Sequence, residues 1–153
     1  MNRLPLPLPR ILALILLTAS TAAGCAAQAD APIGTHDDPS GGAAPYSRSV
    51  QLGDTIYLAG VLGTKDGKLV EGGVAAQTRA AFAQIEAGLA ARGRGLEDLV
   101  KCTVFLADIG DFGAMNDAYK SVLPAPRPAR TTVGAALVFG AAIEVDCIAS
   151  AQP

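Results

Sequence analysis

The sequence has very little of the side chains on which many enzyme mechanisms depend. Of its 153 residues one is histidine (His36), three are cysteine and none is tryptophan. Because His36 lies outside the predicted folded part, a serine–histidine–aspartate triad and histidine-bound zinc are disfavoured. The chain also lacks a Gly-x-Gly-x-x-Gly run after a predicted strand and a Gly-Lys-Ser/Thr phosphate loop. We therefore expect no phosphate-bearing cofactor and no metal.

Charge is scarce as well. Charged residues make up 17% of the chain, and the formal net charge is −2. There is no basic run and no basic patch interleaved with aromatic residues, so nucleic acid is not expected as a partner. The length and the 50% hydrophobic content indicate a single domain.

The N-terminal 25 residues have the pattern of a signal peptide. Arg3 and Arg10 precede an apolar run over 11–17 that is too short to span a bilayer comfortably. The small residues before Cys25 resemble a bacterial lipobox, in which this cysteine is lipidated. We predict a signal peptide over 1–25, membrane attachment through Cys25 and a periplasmic protein anchored to the outer membrane. Ordinary signal-peptidase cleavage, giving a soluble secreted protein, is the alternative.

The rest of the chain divides into a linker and a folded domain. Residues 26–44 contain mainly Ala, Asp, Pro, Gly and Ser, with almost nothing to bury, and are predicted to form a flexible linker that includes His36. Residues 45–150 are predicted to form the domain.

Hydrophobic periodicity predicts the elements of this domain. Two short β-rich runs flank the Gly53-Asp54 turn. A helix is expected over 74–92, with Gln77 on an outer face and a buried stripe formed by Val74, Thr78, Ala81, Phe82, Ile85 and Leu89. A second helix is expected over 111–123, capped by Asp111, with a buried stripe formed by Phe112, Met115, Tyr119 and Val122. Strands are expected over 99–107, 131–135 and 143–148. This order predicts an α+β fold: a two-layer sandwich with a mixed β-sheet and two helices on one face.

The strand over 99–107 is apolar on both sides, with Val104 on one side and Phe105 on the other. Two helices can cover only one face of the sheet. We therefore expect the other face to pack against another copy of the chain.

Arg130 is the first candidate functional residue. The prolines of the loop over 123–128 restrict its backbone dihedral angles, and a β-branched run that predicts a strand starts at Thr131. A guanidinium held there is a pre-organised fork that matches a carboxylate. An exposed arginine that keeps a strand end soluble is the alternative interpretation.

Acidic, phenolic and thiol groups complete the list. Glu144 and Asp146 alternate with apolar residues and point to one side of the last strand, where either can activate a water or simply face solvent. Arg130, one of these carboxylates and the Tyr46 phenol together suit a small carboxylic acid that undergoes an easy hydrolysis. Cys102 and Cys147 are expected to be buried inert thiols. The sequence does not decide whether they form a disulfide.

Seven stretches, in order and spacing, resemble the RidA/YjgF family of reactive-intermediate deaminases. They lie at residues 45–47, 56–60, 75–78, 100–106, 112–116, 128–134 and 143–149.

The resemblance implies a chorismate-mutase-like fold and a homotrimer with sites at the subunit interfaces. It also implies hydrolysis of 2-imino acids, or their enamine tautomers, to 2-keto acids and ammonia without a cofactor. By position, Arg130 would hold the substrate carboxylate with backbone groups around Thr132, and Glu144 would position the attacking water. The pocket would be shaped by Tyr46, Gly60 and Asn116.

The chain departs from the family's best-studied subgroup at three pocket positions. Thr132 replaces a cysteine, while Ala59 and Val61 replace a serine and a glutamine on either side of Gly60. The second hypothesis is therefore a non-catalytic module of the envelope that binds small carboxylates, such as 2-keto acids, in the same cleft.

Overall fold

The computed structural model describes residues 34–152. Within them the chain forms nine strands and two α-helices, with short 3₁₀ turns at 96–98, 109–111 and 138–140. The strands are β1 (Thr35–Asp37), β2 (Ser49–Leu52), β3 (Thr55–Leu58), β4 (Val61–Leu62), β5 (Thr64–Lys65), β6 (Lys68–Leu69), β7 (Leu99–Leu106), β8 (Ala129–Gly134) and β9 (Ile143–Ser150). The helices are α1 (Gly73–Ala90) and α2 (Phe112–Val122).

The main sheet has the order β1-β2-β3-β9-β7-β8, and β4 pairs with β9 next to the end of β3. In this sheet the β7–β8 pair is parallel and all the other strand pairs are antiparallel, so the sheet is mixed. The predicted α+β fold with a mixed sheet and two helices is confirmed.

Helix α1 buries the predicted face. Its buried residues include all six of the predicted stripe: Val74, Thr78, Ala81, Phe82, Ile85 and Leu89. The helix ends near Gly93, which has a φ of 67° and donates its N–H to the carbonyl of Ala90 at 3.0 Å. Glycine adopts this left-handed conformation without the steric cost that other residues incur.

Some details of the helices differ from the prediction. Phe112 was assigned to the buried stripe of α2 but is 43% exposed. Asp111 makes no side-chain cap, and Asp108 instead accepts a hydrogen bond from the N–H of Gly110. Gln77 was expected on an outer face of α1 but is 7% exposed, because its side chain bonds to backbone groups of neighbouring segments.

The sheet begins earlier than the predicted domain. Strand β1 lies inside the predicted linker and pairs with β2, with His36 opposite Val50. Backbone pairing orders this segment although its side chains bury little. The predicted signal peptide and Cys25 lie outside the described residues. Among residues 34–152, no helix combines the length and apolar character required to cross a membrane.

The two faces of the sheet have different surroundings. The helix-facing side chains of β7 and β9 are buried in the core, among them Val104 and Val145. The opposite face, called here the open face, carries Tyr57, which is 47% exposed, and Val133, which is 37% exposed. The observed helices cover one face, as predicted, and the trimer stays a prediction.

Cys102 and Cys147 lie directly opposite each other on β7 and β9 and form a disulfide. Both are buried, with 0% and 2% exposure. The two cysteines are therefore buried as expected, but they form a disulfide instead of remaining free thiols.

Candidate active site

Arg130 lies on edge strand β8 and points toward α2. In the parallel pairing of β7 with β8 it is opposite Cys102, whose side chain is buried in the core between sheet and helices. Its Nη2 donates a hydrogen bond to Oδ1 of Asn116 at 3.0 Å. Its guanidinium carbon lies 4.6 Å from the ring centroid of Tyr119 and 5.6 Å from that of Phe112. One side-chain amide and two aromatic faces therefore hold the guanidinium.

The charge of Arg130 is not neutralised by a carboxylate of the described chain. The ion pairs among residues 34–152 join Arg48 to Asp37, Arg94 to Asp98, and Lys120 to Asp117. A half-buried guanidinium with several N–H groups beyond the one given to Asn116 is suited to binding an anion. Burial raises the pKa of the Tyr119 phenol, and the positive charges of Arg130 and Arg127 oppose that rise. Tyr119 is therefore neutral at physiological pH.

Thr132 lies two residues further along β8, on the same face as Arg130. Its Oγ1 is buried without a hydrogen-bond partner, as is the hydroxyl of Tyr119. Buried polar atoms are nearly always paired in native proteins, so these two oxygens have unused hydrogen-bonding capacity.

Glu144 lies on the open face of β9, opposite Leu62 on one side and Phe105 on the other. Its carboxylate packs directly against Gly60. A Cβ added at Gly60 would lie 2.1 Å from Oε1 of Glu144, a distance that real atoms do not tolerate. Position 60 therefore needs glycine if Glu144 keeps this orientation.

Asp146 shares the open face with Glu144, but it has a different role in the structure. Its Oδ1 accepts a hydrogen bond from the backbone N–H of Thr103 at 3.1 Å. The sequence did not distinguish these two carboxylates. The structure distinguishes them, because the Asp146 carboxylate is hydrogen-bonded to the backbone of β7, whereas the Glu144 carboxylate lies against Gly60.

Tyr46 and Gly60 line a cavity of about 500 Å³ between the segment before β2, the β3–β4 connection and α1. Tyr46 is 64% exposed, so its ring forms part of the cavity rim. The cavity and the Glu144 carboxylate thus meet at Gly60.

The predicted site residues form two groups within one chain. Arg130, Asn116 and Thr132 lie at the edge strand and α2, on the helix side of the sheet. Glu144 lies on the open face beside Gly60. Because the sheet separates Arg130 from Glu144, one chain does not bring them together.

Phe112 and Tyr119 are contacts of Arg130 that the sequence interpretation missed, since both were assigned only to a buried stripe. Together with Asn116 they follow the spacing i, i+4, i+7, which puts them on one helix face. Among residues 34–152 no group of three or more His, Cys, Asp or Glu side chains is arranged to hold a metal.

The mixed sheet, the two helices on one face and the edge-strand arginine define the class of small α+β proteins with the RidA/YjgF fold. The chain belongs to the family described as Endoribonuclease L-PSP, whose family model matches residues 37–151. This confirms the resemblance to RidA/YjgF proteins.

Characterised relatives cover most of the domain. Protein mmf2, mitochondrial, from Schizosaccharomyces pombe is 44% identical over 110 residues, covering 69% of this chain and 87% of that protein. A 2-iminobutanoate/2-iminopropanoate deaminase from Capra hircus is 42% identical over 112 residues, covering 71% and 82%. The relatives thus support an imine-deaminase function at the level of the family.

Solved structures agree with this assignment. The crystal structure of RidA from an Antarctic Psychrobacter has a TM-score of 0.67 and 36% identity, covering 71% of this chain and 89% of that one. The structure of E. coli TdcF with bound serine has a TM-score of 0.66 and 29% identity, covering 70% and 88%. The second shows a small amino acid bound to a related protein.

The comparisons correct the predicted location. Two of the relatives are named mitochondrial and a third, from Arabidopsis thaliana, is named chloroplastic. Such proteins are not lipid-anchored proteins of the periplasm. The prediction of an exported protein attached to the outer membrane through Cys25 is therefore wrong, since it depended on an N-terminal pattern alone.

Proposed function

We propose that the protein hydrolyses 2-imino acids, or their enamine tautomers, to 2-keto acids and ammonia without a cofactor. The observation that carries the proposal is Arg130, a positioned guanidinium without a carboxylate partner among the described residues. The names of several relatives support the same chemistry. The family description names a ribonuclease, but the chain has a formal net charge of −2 and no basic run, so its overall charge does not favour RNA.

In this proposal Arg130 binds the substrate carboxylate. The hydrogen bond to Asn116 and the two aromatic faces fix the plane of the guanidinium, so its free N–H groups can donate to both carboxylate oxygens. Backbone groups around Thr132 would complete the carboxylate site. Holding the substrate by this end places its C2 atom in a defined position, which is a large part of catalysis when the electrophile is already activated.

Glu144 would act on the water. Its carboxylate accepts a proton from a water whose oxygen attacks C2 of the iminium, and the C=N electron pair moves to nitrogen. The same proton then passes to the amino group of the carbinolamine, the hydroxyl group gives its proton to the Glu144 carboxylate, and the C–N bond breaks as the keto group forms. The departing ammonia takes this second proton from Glu144, so iminium and water give keto acid and ammonium, and the glutamate is regenerated.

The site would form between two copies of the chain. Because Arg130 and Glu144 lie on opposite faces of the sheet, a complete site needs Arg130 and Asn116 from one copy and Glu144, Gly60 and Tyr46 from its neighbour. A closed ring of identical subunits satisfies this requirement at every interface. The partly exposed apolar residues of the open face are consistent with such an assembly.

The test is ammonia release by the purified protein. Imino acids are generated in situ by an amino-acid oxidase, and the rate is compared with the oxidase and buffer alone. We expect acceleration by the wild type and none by Glu144→Gln, which keeps the size of the side chain but cannot accept a proton as a carboxylate does. A wild-type rate equal to the buffer rate removes the proposal.

The second candidate is a module that binds small carboxylates without turnover. The serine-bound structure of a relative and the apolar Ala59 and Val61 beside Gly60 favour it. It is supported if 2-keto acids raise the melting temperature of the wild type, but not of Arg130→Ala, while ammonia release stays at background.

A further inference from the structure

We propose that the cavity beside Gly60 holds the side chain of the substrate, and that the chain selects 2-imino acids with branched aliphatic or aromatic side chains. This inference rests on the proposed function, because it concerns the same site. It names a class of larger side chains than the methyl and ethyl groups in the names of the deaminase relatives.

The first argument is the lining of the cavity. Part of its lining consists of aliphatic side chains and a glycine from the β3–β4 segment and α1. These residues are Leu58, Ala59, Val61, Leu62, Ile85 and Gly88. Ile85 is 1% exposed and belongs to the hydrophobic core, so the wall is continuous with rigid structure. Such a surface gains free energy by covering apolar groups.

The second argument is that most polar groups of the rim already have partners within the chain. Asp38 accepts hydrogen bonds from the backbone N–H groups of Ser40 and Gly42 and from the Ser40 hydroxyl. Gln84 donates to the carbonyls of Leu62 and Thr64 at 2.9 and 2.8 Å. These groups have less capacity left for a polar ligand, which favours an apolar occupant.

The third argument is the position of the cavity relative to the chemistry. Gly60 lines the cavity and also contacts the Glu144 carboxylate. The two are therefore neighbours at position 60, where residue 60 itself places no side chain between them. In this proposal a substrate whose C2 atom lies beside Glu144 directs its side chain toward Gly60 and the cavity.

The fourth argument is size. The cavity volume of about 500 Å³ is within the range of small-molecule sites, roughly 300–1,000 Å³. A methyl or ethyl group would fill only a small part of it. Gly88 keeps part of this space open, because a Cβ there would meet only Cδ of Arg48, at 3.7 Å.

The experiment measures affinity and turnover along a series of side chains. Melting shifts of the full-length protein give Kd for pyruvate, 2-oxobutanoate, 4-methyl-2-oxopentanoate and phenylpyruvate. Turnover is measured with the matching imino acids made in situ. We expect Kd to fall at least about tenfold from pyruvate to 4-methyl-2-oxopentanoate, since each buried CH₂ contributes severalfold.

The variant Gly88→Leu fills the cavity, and Ala83→Leu, at an exposed position of α1 outside the cavity lining, is its matched control. Gly88→Leu is expected to weaken binding of the larger acids more than that of pyruvate and so abolish the preference, whereas Ala83→Leu keeps the wild-type pattern. If Gly88→Leu does not fold, Ala87→Leu on the same cavity wall serves in its place.

Equal affinity for small and large acids in the wild type would overturn the inference. A Gly88→Leu variant that keeps the preference for larger acids would also overturn it. A variant that changes only the mass of the assembly would do so too, because the cavity would then be a subunit contact. A preference for large keto acids without any turnover overturns the proposed reaction but supports the cavity assignment. The two failures are therefore distinguishable.

Discussion

At the scale of single residues, the position of Arg130 depends on contacts that the sequence shows only in part. The proline-rich loop and the β-branched run predicted a rigid arginine, and the structure adds Asn116 and the rings of Tyr119 and Phe112 around it. A guanidinium held by stacking and one hydrogen bond is ordered before a ligand arrives. The planar geometry of the guanidinium, and not only its charge, is therefore expected to determine how well it binds a substrate carboxylate.

Arg130→Lys tests this directly. Lysine keeps the charge but replaces the planar fork with a point charge, so at least one charge-assisted hydrogen bond to the substrate is lost. That loss costs about 1.5–3 kcal/mol. We expect kcat/KM to fall about ten- to a hundredfold, with folding and assembly unchanged.

Arg127→Lys is the matched control for this change. Arg127 is exposed, and it donates to the carbonyl of Lys120 at 3.2 Å. It is expected to keep full activity. If Arg130→Lys is as active as the wild type, Arg130 does not clamp a carboxylate; if it loses activity only by unfolding, Arg130 has a structural role.

Gly60→Ala is a second test at this scale. The new Cβ would overlap Oε1 of Glu144, so the carboxylate must move away from its observed position. A shift of about 1 Å at a catalytic group costs on the order of a hundredfold in rate. Steady-state kinetics should show the loss mainly in kcat.

The control for this glycine is Gly113→Ala in α2. A Cβ at Gly113 meets no atom within 4 Å, and alanine is the better helix former. It should be active and slightly more stable. Wild-type kinetics in Gly60→Ala would show that Glu144 does not act from the observed position.

At the scale of elements, Gln77 connects α1 to two other segments. Its Oε1 accepts from the N–H of Ala142 at 2.8 Å, and its Nε2 donates to the carbonyl of Val70 at 3.5 Å. Gly63 allows this approach, because a Cβ there would lie 2.3 Å from Cβ of Gln77. A buried polar side chain thus fixes the start of β9 and the segment before α1.

Gln77→Ala should therefore lower the free energy of unfolding by about 1–3 kcal/mol, since buried backbone groups lose their partners. Urea unfolding measures this change, with the slope of the transition unchanged. Glu86→Ala, an exposed position on the same helix, should stay within about 0.5 kcal/mol of the wild type. An effect of Gln77→Ala no larger than that of Glu86→Ala would contradict the bridging role.

The elements themselves were largely predictable from periodicity. The buried stripe of α1 and the apolar β7 follow spacings of 3.6 and 2 residues, and the fold class follows from their order. Strand β1 was missed because its pairing depends on backbone bonds to β2, which composition does not encode. Gln77 was misplaced because its amide lies beside the apolar stripe, and periodicity does not show its distant backbone partners, the N–H of Ala142 and the carbonyl of Val70.

The sequence pointed to the candidate site residues but not to their arrangement in the structure. Arg130 and Glu144 stood out from local sequence and family motifs. Their placement on opposite faces depends on the parallel β7–β8 and antiparallel β7–β9 registers. Register is a long-range property, and a shift of one residue would reverse the face.

At the scale of the whole molecule, the proposed site leads to a complementation prediction. Arg130→Ala and Glu144→Ala should each be inactive as pure proteins. In a co-expressed equal mixture, each interface has about one chance in four of combining an intact Arg130 with an intact Glu144 from its neighbour. The mixture should therefore recover about one quarter of wild-type ammonia release.

Light scattering on the same samples provides the control. The wild type and both variants should have the mass of three chains, because neither substitution lies among the apolar residues of the open face. A mixture that remains inactive while its variants assemble normally would place both residues of a working site in one chain. A monomer mass for the wild type at micromolar concentration would remove the shared site altogether.

The position of β9 in the sheet has a consequence for biosynthesis. This last strand of the chain lies between β3 and β7 and pairs with both, so it occupies the middle of the sheet and not its edge. Until residues 143–150 have left the ribosome, β3 and β7 each lack this partner and expose unpaired backbone. The sheet can close only after synthesis has passed Ser150. A nascent chain is thus vulnerable to aggregation until β9 has been made, and a premature stop before β9 leaves two incomplete edges instead of a shorter domain.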